Sequence, residues 1–175
     1  MAIIGVMGSG KQGWDDLAVP LGIWIAQSGH NLLTGGGGGV MARVAGAFCS
    51  VPMRQGRSIG VLPGRPDPRS GFVPLDGYPN AHVEIPILTP LPRHAADMAP
   101  DALSRNHVNI LSADVVVILP GGQGTRDEAR LSLAFRRPAI AFGPEDAFRD
   151  MPPELQVVSS MGDVAAFIDV SLHHA

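Results

Sequence analysis

The chain has 175 residues, a length that suits one domain with a core large enough to fold without disulfides or metals. Its 13 basic and 16 acidic residues leave a net charge of −3, and the absence of a basic run argues against a nucleic-acid-binding surface. A single cysteine, Cys49, excludes an internal disulfide and fits a reducing compartment, so a cytoplasmic protein is expected.

The N-terminus lacks a positive n-region, and no signal peptide is expected. No apolar run approaches the roughly 20 residues that a membrane span needs. Ile3 to Met7 is apolar and stops at Gly8-Ser9-Gly10, which predicts a buried strand and a tight turn. Trp14 to Ser28 places Leu17, Leu21 and Ile25 at helical spacing, and Gly29 ends that helix. Asn31 to Thr34 predicts a second strand, followed by Gly35 to Gly39 and a helix from Val40 to Phe48. Ser58 to Leu62 predicts a third strand.

Nine of the sixteen prolines lie between 63 and 100, which forbids a long helix and predicts an irregular surface segment there. Within it, His82 to Leu88 reads as a strand that Pro86 places near an edge. Asp101 to Leu111 reads as a helix with Pro100 at its start. Val115 to Leu119, apolar throughout, predicts a central parallel strand. A helix over Gly124–Phe135, a strand over Ala139–Phe142 and a helix over Asp163–Val170 complete the chain. Alternation of strands and helices over residues 1–175 predicts a single α/β domain, a Rossmann-like doubly wound parallel sheet. Ligands of such sheets sit beyond the carboxyl ends of the strands.

Three glycine-rich turns follow strands. Gly5 to Lys11 satisfies the first part of a phosphate-loop pattern, but Gln12 stands where magnesium binding needs Ser or Thr. The run Gly35 to Gly39 lets backbone approach a ligand and precedes a helix, whose free N–H groups suit an anion; it could equally serve close packing. Pro120-Gly121-Gly122-Gln123-Gly124-Thr125 follows the most apolar strand and opens a helix, the setting of an anion site. Thr125 and Glu128 have capping-box spacing, so their side chains could instead satisfy helix donors. His30, His82, His94, His107, His173 and His174 show no metal-ligand spacing beyond the terminal pair, and no metal is expected. Cys49, Trp14 and Trp24 read as packing residues.

The motif PGGxGTxxE after an apolar strand, with GGGGGVM before it, resembles the "Lonely Guy" (LOG) family, long mislabelled as lysine decarboxylases. The resemblance spans Ile3 to about Phe142 and implies a Rossmann-like fold, assembly into a homodimer or higher homo-oligomer, and a small phosphate-bearing ligand. Hydrolase members cleave the N-glycosidic bond of a nucleoside 5′-monophosphate. Glu128 falls on their catalytic glutamate, and Arg105, fifteen residues before Pro120, on their catalytic arginine. Asn106 stands where those hydrolases carry lysine, and Met7-Gly8-Ser9-Gly10-Lys11 replaces their first turn. Both departures look more like the sister branch that includes molybdenum-cofactor carriers. The resemblance therefore implies no obligatory cofactor, with a molybdenum cofactor or a nucleotide as bound ligand. Ligand contacts are expected at Gly8, Ser9, Gly10, Gly36, Gly37, Gly38, Met41, Arg105, Asn106, Gly121, Gly122, Gly124 and Thr125. Arg105 and Glu128 would be catalytic in a phosphoribohydrolase, the alternative reading.

Overall fold

The structure is a computed structural model and describes residues 1–93 and 102–173. His94, Pro100, Asp101 and His174 lie outside the described residues.

Eight strands form one sheet: β1 (Ile3–Met7), β2 (Asn31–Thr34), β3 (Ser58–Asp67), β4 (Gly71–Pro74), β5 (Ile85–Thr89), β6 (Val115–Ile118), β7 (Ala139–Phe142) and β8 (Val157–Val158). Five helices connect and follow them: α1 (Asp15–Gln27), α2 (Val40–Ser50), α3 (Arg105–Ser112), α4 (Gln123–Ala134) and α5 (Met161–His173). The order is β4-β3-β2-β1-β6-β7-β8, with β5 also paired to β3. Every pairing is parallel except β3 with β4.

The sheet is covered on both faces, and β1, β6 and β7 accordingly carry no polar side chain on either face. Side chains alternate across a strand, and β6 shows the consequence. Val115 and Val117 join a core with Leu21 and Ile25 of α1, Val44 and Phe48 of α2 and Ile168 of α5. Val116 and Ile118 face the other way, into a core with Ile110 of α3 and Ala129 of α4. This is the expected doubly wound single domain. No helix among the described residues is long and apolar enough to cross a membrane.

The proline-rich segment is less irregular than its composition predicts. β3 runs past Leu62 to Asp67 and turns back into β4, the one antiparallel pairing. Asp67 makes that turn, its Oδ1 accepting from the N–H groups of Arg69 and Ser70 at 2.9 and 2.7 Å. Prolines are tolerated here because edge positions do not need every N–H. β5 starts at Ile85 rather than His82, since residues 80–83 form a turn in which Asn80 accepts from the His82 N–H through Oδ1 at 3.0 Å and from the Val83 N–H through its carbonyl at 3.3 Å.

Two helix starts also differ. α3 begins at Arg105, where Ser104 donates its N–H to His107 Nδ1 at 3.2 Å. α4 begins at Gln123 with Gly122 as N-cap, one residue earlier than expected. Thr125 therefore lies inside the first turn, and the capping box with Glu128 does not form. β8, two residues long, carries no readable periodicity.

Candidate functional site

Strand order reverses at β1: β2 and β3 lie to one side, β6 and β7 to the other. A crevice opens beyond the carboxyl ends at such a point. All three glycine turns meet there, tied backbone to backbone. Ser9 donates its N–H to the Pro120 carbonyl at 3.1 Å, and Val40 donates to the Ser9 carbonyl at 2.9 Å. The cleft they enclose measures about 650 Å³. Of the expected ligand contacts, Gly8, Ser9, Gly10, Gly38, Met41, Arg105, Asn106, Gly122, Gly124 and Thr125 border it, as does Glu128.

The first turn does not wrap as a phosphate loop. Ser9 Oγ accepts from the N–H groups of Lys11 and Gln12 at 3.2 and 3.0 Å, and α1 starts only at Asp15. Lys11 stands on the cleft instead of at a helix start.

The second turn serves the protein more than a ligand. A Cβ on Gly35 would lie 1.8 Å from Arg105 Nη1. One on Gly37 would lie 3.0 Å from both Met41 Cε and the Tyr78 ring. Asn80 donates its N–H to the Gly36 carbonyl at 2.8 Å and its Nδ2 to the Gly37 carbonyl at 2.9 Å. Gly36 and Gly37 thus hold the loop around Tyr78 and do not border the cleft. Gly121 does not border it either; a Cβ there would meet Thr125 Oγ1 at 2.1 Å.

The third turn is different. A Cβ on Gly122 or Gly124 would meet nothing within 4 Å. Gly122 has φ −94°, open to any residue, so neither packing nor backbone conformation demands glycine there. The two glycines leave empty space over the first turn of α4, where Thr125 and Arg126 donate to the Gly122 carbonyl and the N–H groups of Gln123 and Gly124 stay outside the helical ladder at the positive end of the helix dipole.

Arg105 opens α3 and is only 6% exposed. Its Nη1 donates to the carbonyls of Gly35 and Val61 at 2.8 and 3.2 Å. Its buried Nε has no hydrogen-bond partner among the described residues. Its Cζ lies 5.8 Å from the centre of the Tyr78 ring. Asn106 Nδ2 donates to the Gly124 carbonyl at 3.5 Å, joining α3 to the start of α4. The buried Glu128 carboxylate accepts from Asn109 Nδ2 at 3.3 Å. Burial pushes its pKa up to about 7, against the pull of the Arg105 charge and the Asn109 hydrogen bond.

The sequence reading missed Met7, Lys11, Asp76, Gly77, Tyr78, Arg93 and Gln123 on the cleft wall. Residues 76–78 and Arg93 arrive from the proline-rich segment, and only the long-range pairing of β3 brings them there. Among the described residues no three His, Cys, Asp or Glu side chains gather as metal ligands.

The model of the SLOG cluster4 family matches residues 1–166. Among solved structures, the molybdenum cofactor binding protein from the phototrophic bacterium Rippkaea orientalis is 28% identical, with TM-score 0.72 over 98% of this chain and 97% of that one. The Moco carrier protein from Chlamydomonas reinhardtii is 29% identical, with TM-score 0.74 over 99% of each chain. DNA processing protein A from Helicobacter pylori, 16% identical with TM-score 0.64 over 99% of this chain and 81% of that one, shares the fold alone. No curated protein matches the chain.

Proposed function

The chain belongs to the SLOG cluster4 family, and on that premise we propose that it binds a phosphate-bearing, molybdenum-cofactor-like ligand in the cleft and acts as its carrier. One observation carries the reading: the empty space that Gly122 and Gly124 leave over the start of α4. A phosphate placed there would accept from first-turn N–H groups, and Lys11 would supply a countercharge. The likeness to two cofactor-binding proteins at 28% and 29% identity over nearly whole chains supports the choice of ligand class. Calorimetric titration with a phosphorylated pterin tests it. Saturable binding that Gly122→Val removes supports the reading, and absence of binding by the parent protein contradicts it.

A second reading is favoured by Glu128, a carboxyl poised near neutrality on the cleft wall. In a nucleoside 5′-monophosphate phosphoribohydrolase it would stabilise the cationic ribose as the base departs and take the proton of the attacking water. Asn106, where the LOG hydrolases carry lysine, weighs against it. Release of ribose 5-phosphate from AMP decides between the two. A cytoplasmic homodimer or higher homo-oligomer completes the proposal.

A further inference from the structure

We propose that Tyr78 is the wall of the cleft that receives the planar ring of a phosphorylated heterocycle, and so sets selectivity for phosphates that carry a planar ring over those that do not. The inference rests on the phosphate site proposed above and names the other end of the ligand.

Tyr78 is the only tyrosine of the chain. It borders the cleft, is half-buried, and packs into neither hydrophobic core. An aromatic ring with no part in the core still needs something to fix it, and the structure shows what does. Asn80, two residues on, grips the carbonyls of Gly36 and Gly37. Gly37 lacks the Cβ that would collide with the ring edge. Arg105 and Arg93 place their Cζ atoms 5.8 and 5.9 Å from the ring centre. Arg105 cannot leave, being anchored on Gly35 and Val61. Tyr78 is therefore a held ring on the rim of a polar cleft.

Its neighbours suit a flat conjugated ligand. Met41 shares the contact with Gly37 and also borders the cleft, offering a soft thioether beside the ring. Arg93 is exposed and has no carboxylate partner among the described residues, so beside its contact with Tyr78 it has N–H groups to donate to ring substituents. Stacking tolerates different bases because each has a π-face. Purine nucleotides and phosphorylated pterins share this chemistry, and the experiment separates them.

The test is calorimetric titration of the whole chain with inorganic phosphate, ribose 5-phosphate, GMP and neopterin monophosphate. The variants are Tyr78→Ala, Tyr78→Phe and Gly122→Val, each with a melting curve. Tyr78→Ala is expected to weaken whichever ring-bearing ligand binds by roughly 5- to 100-fold, the range seen when a stacking aromatic is truncated. Its affinity for inorganic phosphate and ribose 5-phosphate, which carry no planar ring, should not change, and Tyr78→Phe should retain binding of the planar ring. Unchanged binding of GMP and neopterin monophosphate by Tyr78→Ala overturns the proposal. So does an equal loss for ligands with and without a planar ring, and so does failure of Tyr78→Phe to retain the preference for the planar ring. Gly122→Val keeps the two readings apart: loss of all four ligands there, with no Tyr78→Ala effect, leaves the phosphate site standing without its ring wall. Failure of the parent protein to bind any of the four sinks both.

Discussion

The guanidinium of Arg105 reaches across 70 residues to the Gly35 carbonyl, 2.8 Å away. This bond couples the start of α3 to the end of β2, and only glycine at 35 leaves room for it: an added Cβ would stand 1.8 Å from Nη1. Gly35→Ala is therefore expected to cost about 2–4 kcal/mol, the scale of a core overpacking or broken buried network. Arg105→Ala is expected to cost a similar amount by stranding the Gly35 and Val61 carbonyls. The two losses share one cause. In the Arg105→Ala background, Gly35→Ala should add little, and denaturant melts of the double-mutant cycle check that coupling.

Glu128 makes stability depend on pH. Its carboxyl rises from 4.5 to about 7 on folding, so between those values the folded chain holds a proton that the unfolded chain has lost. The folded state then binds more protons, and stability falls as pH rises through that window. Glu128→Gln keeps an acceptor for Asn109 and removes the buried charge. Because no capping box involves residue 128, nothing is lost at the helix end. The variant should exceed its parent by on the order of 1–3 kcal/mol at about pH 8, and lose that advantage toward about pH 4.5. Chemical denaturation at the two pH values measures it; a variant less stable than its parent at about pH 8 would contradict the assignment.

Gly122→Val separates packing from binding. Space above the residue is open and its backbone suits a β-branched side chain, so the stability cost should stay within about 1 kcal/mol, the price of a poorer N-cap. Affinity for inorganic phosphate should drop by at least about tenfold, because the added methyls fill the space over the first-turn N–H groups. Unaltered phosphate affinity, read by calorimetry, would place the anion elsewhere.

The wall-to-wall alternation of strands and helices was legible because the central strands are buried on both faces and so read as unbroken apolar runs. The switch point at β1 followed from that order. That the third glycine turn links β6 to a helix was legible too, because it follows an apolar run and precedes helix-forming residues. What the sequence hid was long-range. Five consecutive glycines read equally as a ligand loop or as close packing, and the structure gives Gly35 and Gly37 a packing duty: they leave room for Arg105 and Tyr78, which lie tens of residues away. Tyr78 itself sits between prolines with no periodicity around it. The β3–β4 hairpin hid behind prolines because an edge strand tolerates missing donors. The spacing of Thr125 and Glu128 misled because one earlier helical residue shifts the cap to Gly122.

Assembly is the fourth expectation. β5, an edge strand, leaves Ile85 and Ile87 on one face and Leu88 on the other 42%, 43% and 37% exposed. Covered by a second copy, it would explain why these residues are not polar. Light scattering at micromolar concentration should give at least a dimer mass, and Ile87→Lys should shift it toward the monomer. A monomer mass for the parent protein contradicts the expectation.

Native mass spectrometry decides whether the cleft holds a phosphate-bearing planar ligand without consuming it. The protein is purified without added ligand and then incubated with neopterin monophosphate or AMP. A co-purified or added ligand mass is expected on the parent protein, none on Gly122→Val, and no ribose 5-phosphate from AMP. A parent protein that stays ligand-free under all these conditions would contradict the binding claim. Ribose 5-phosphate produced by the parent and lost in Glu128→Gln would contradict the carrier reading and establish the hydrolase.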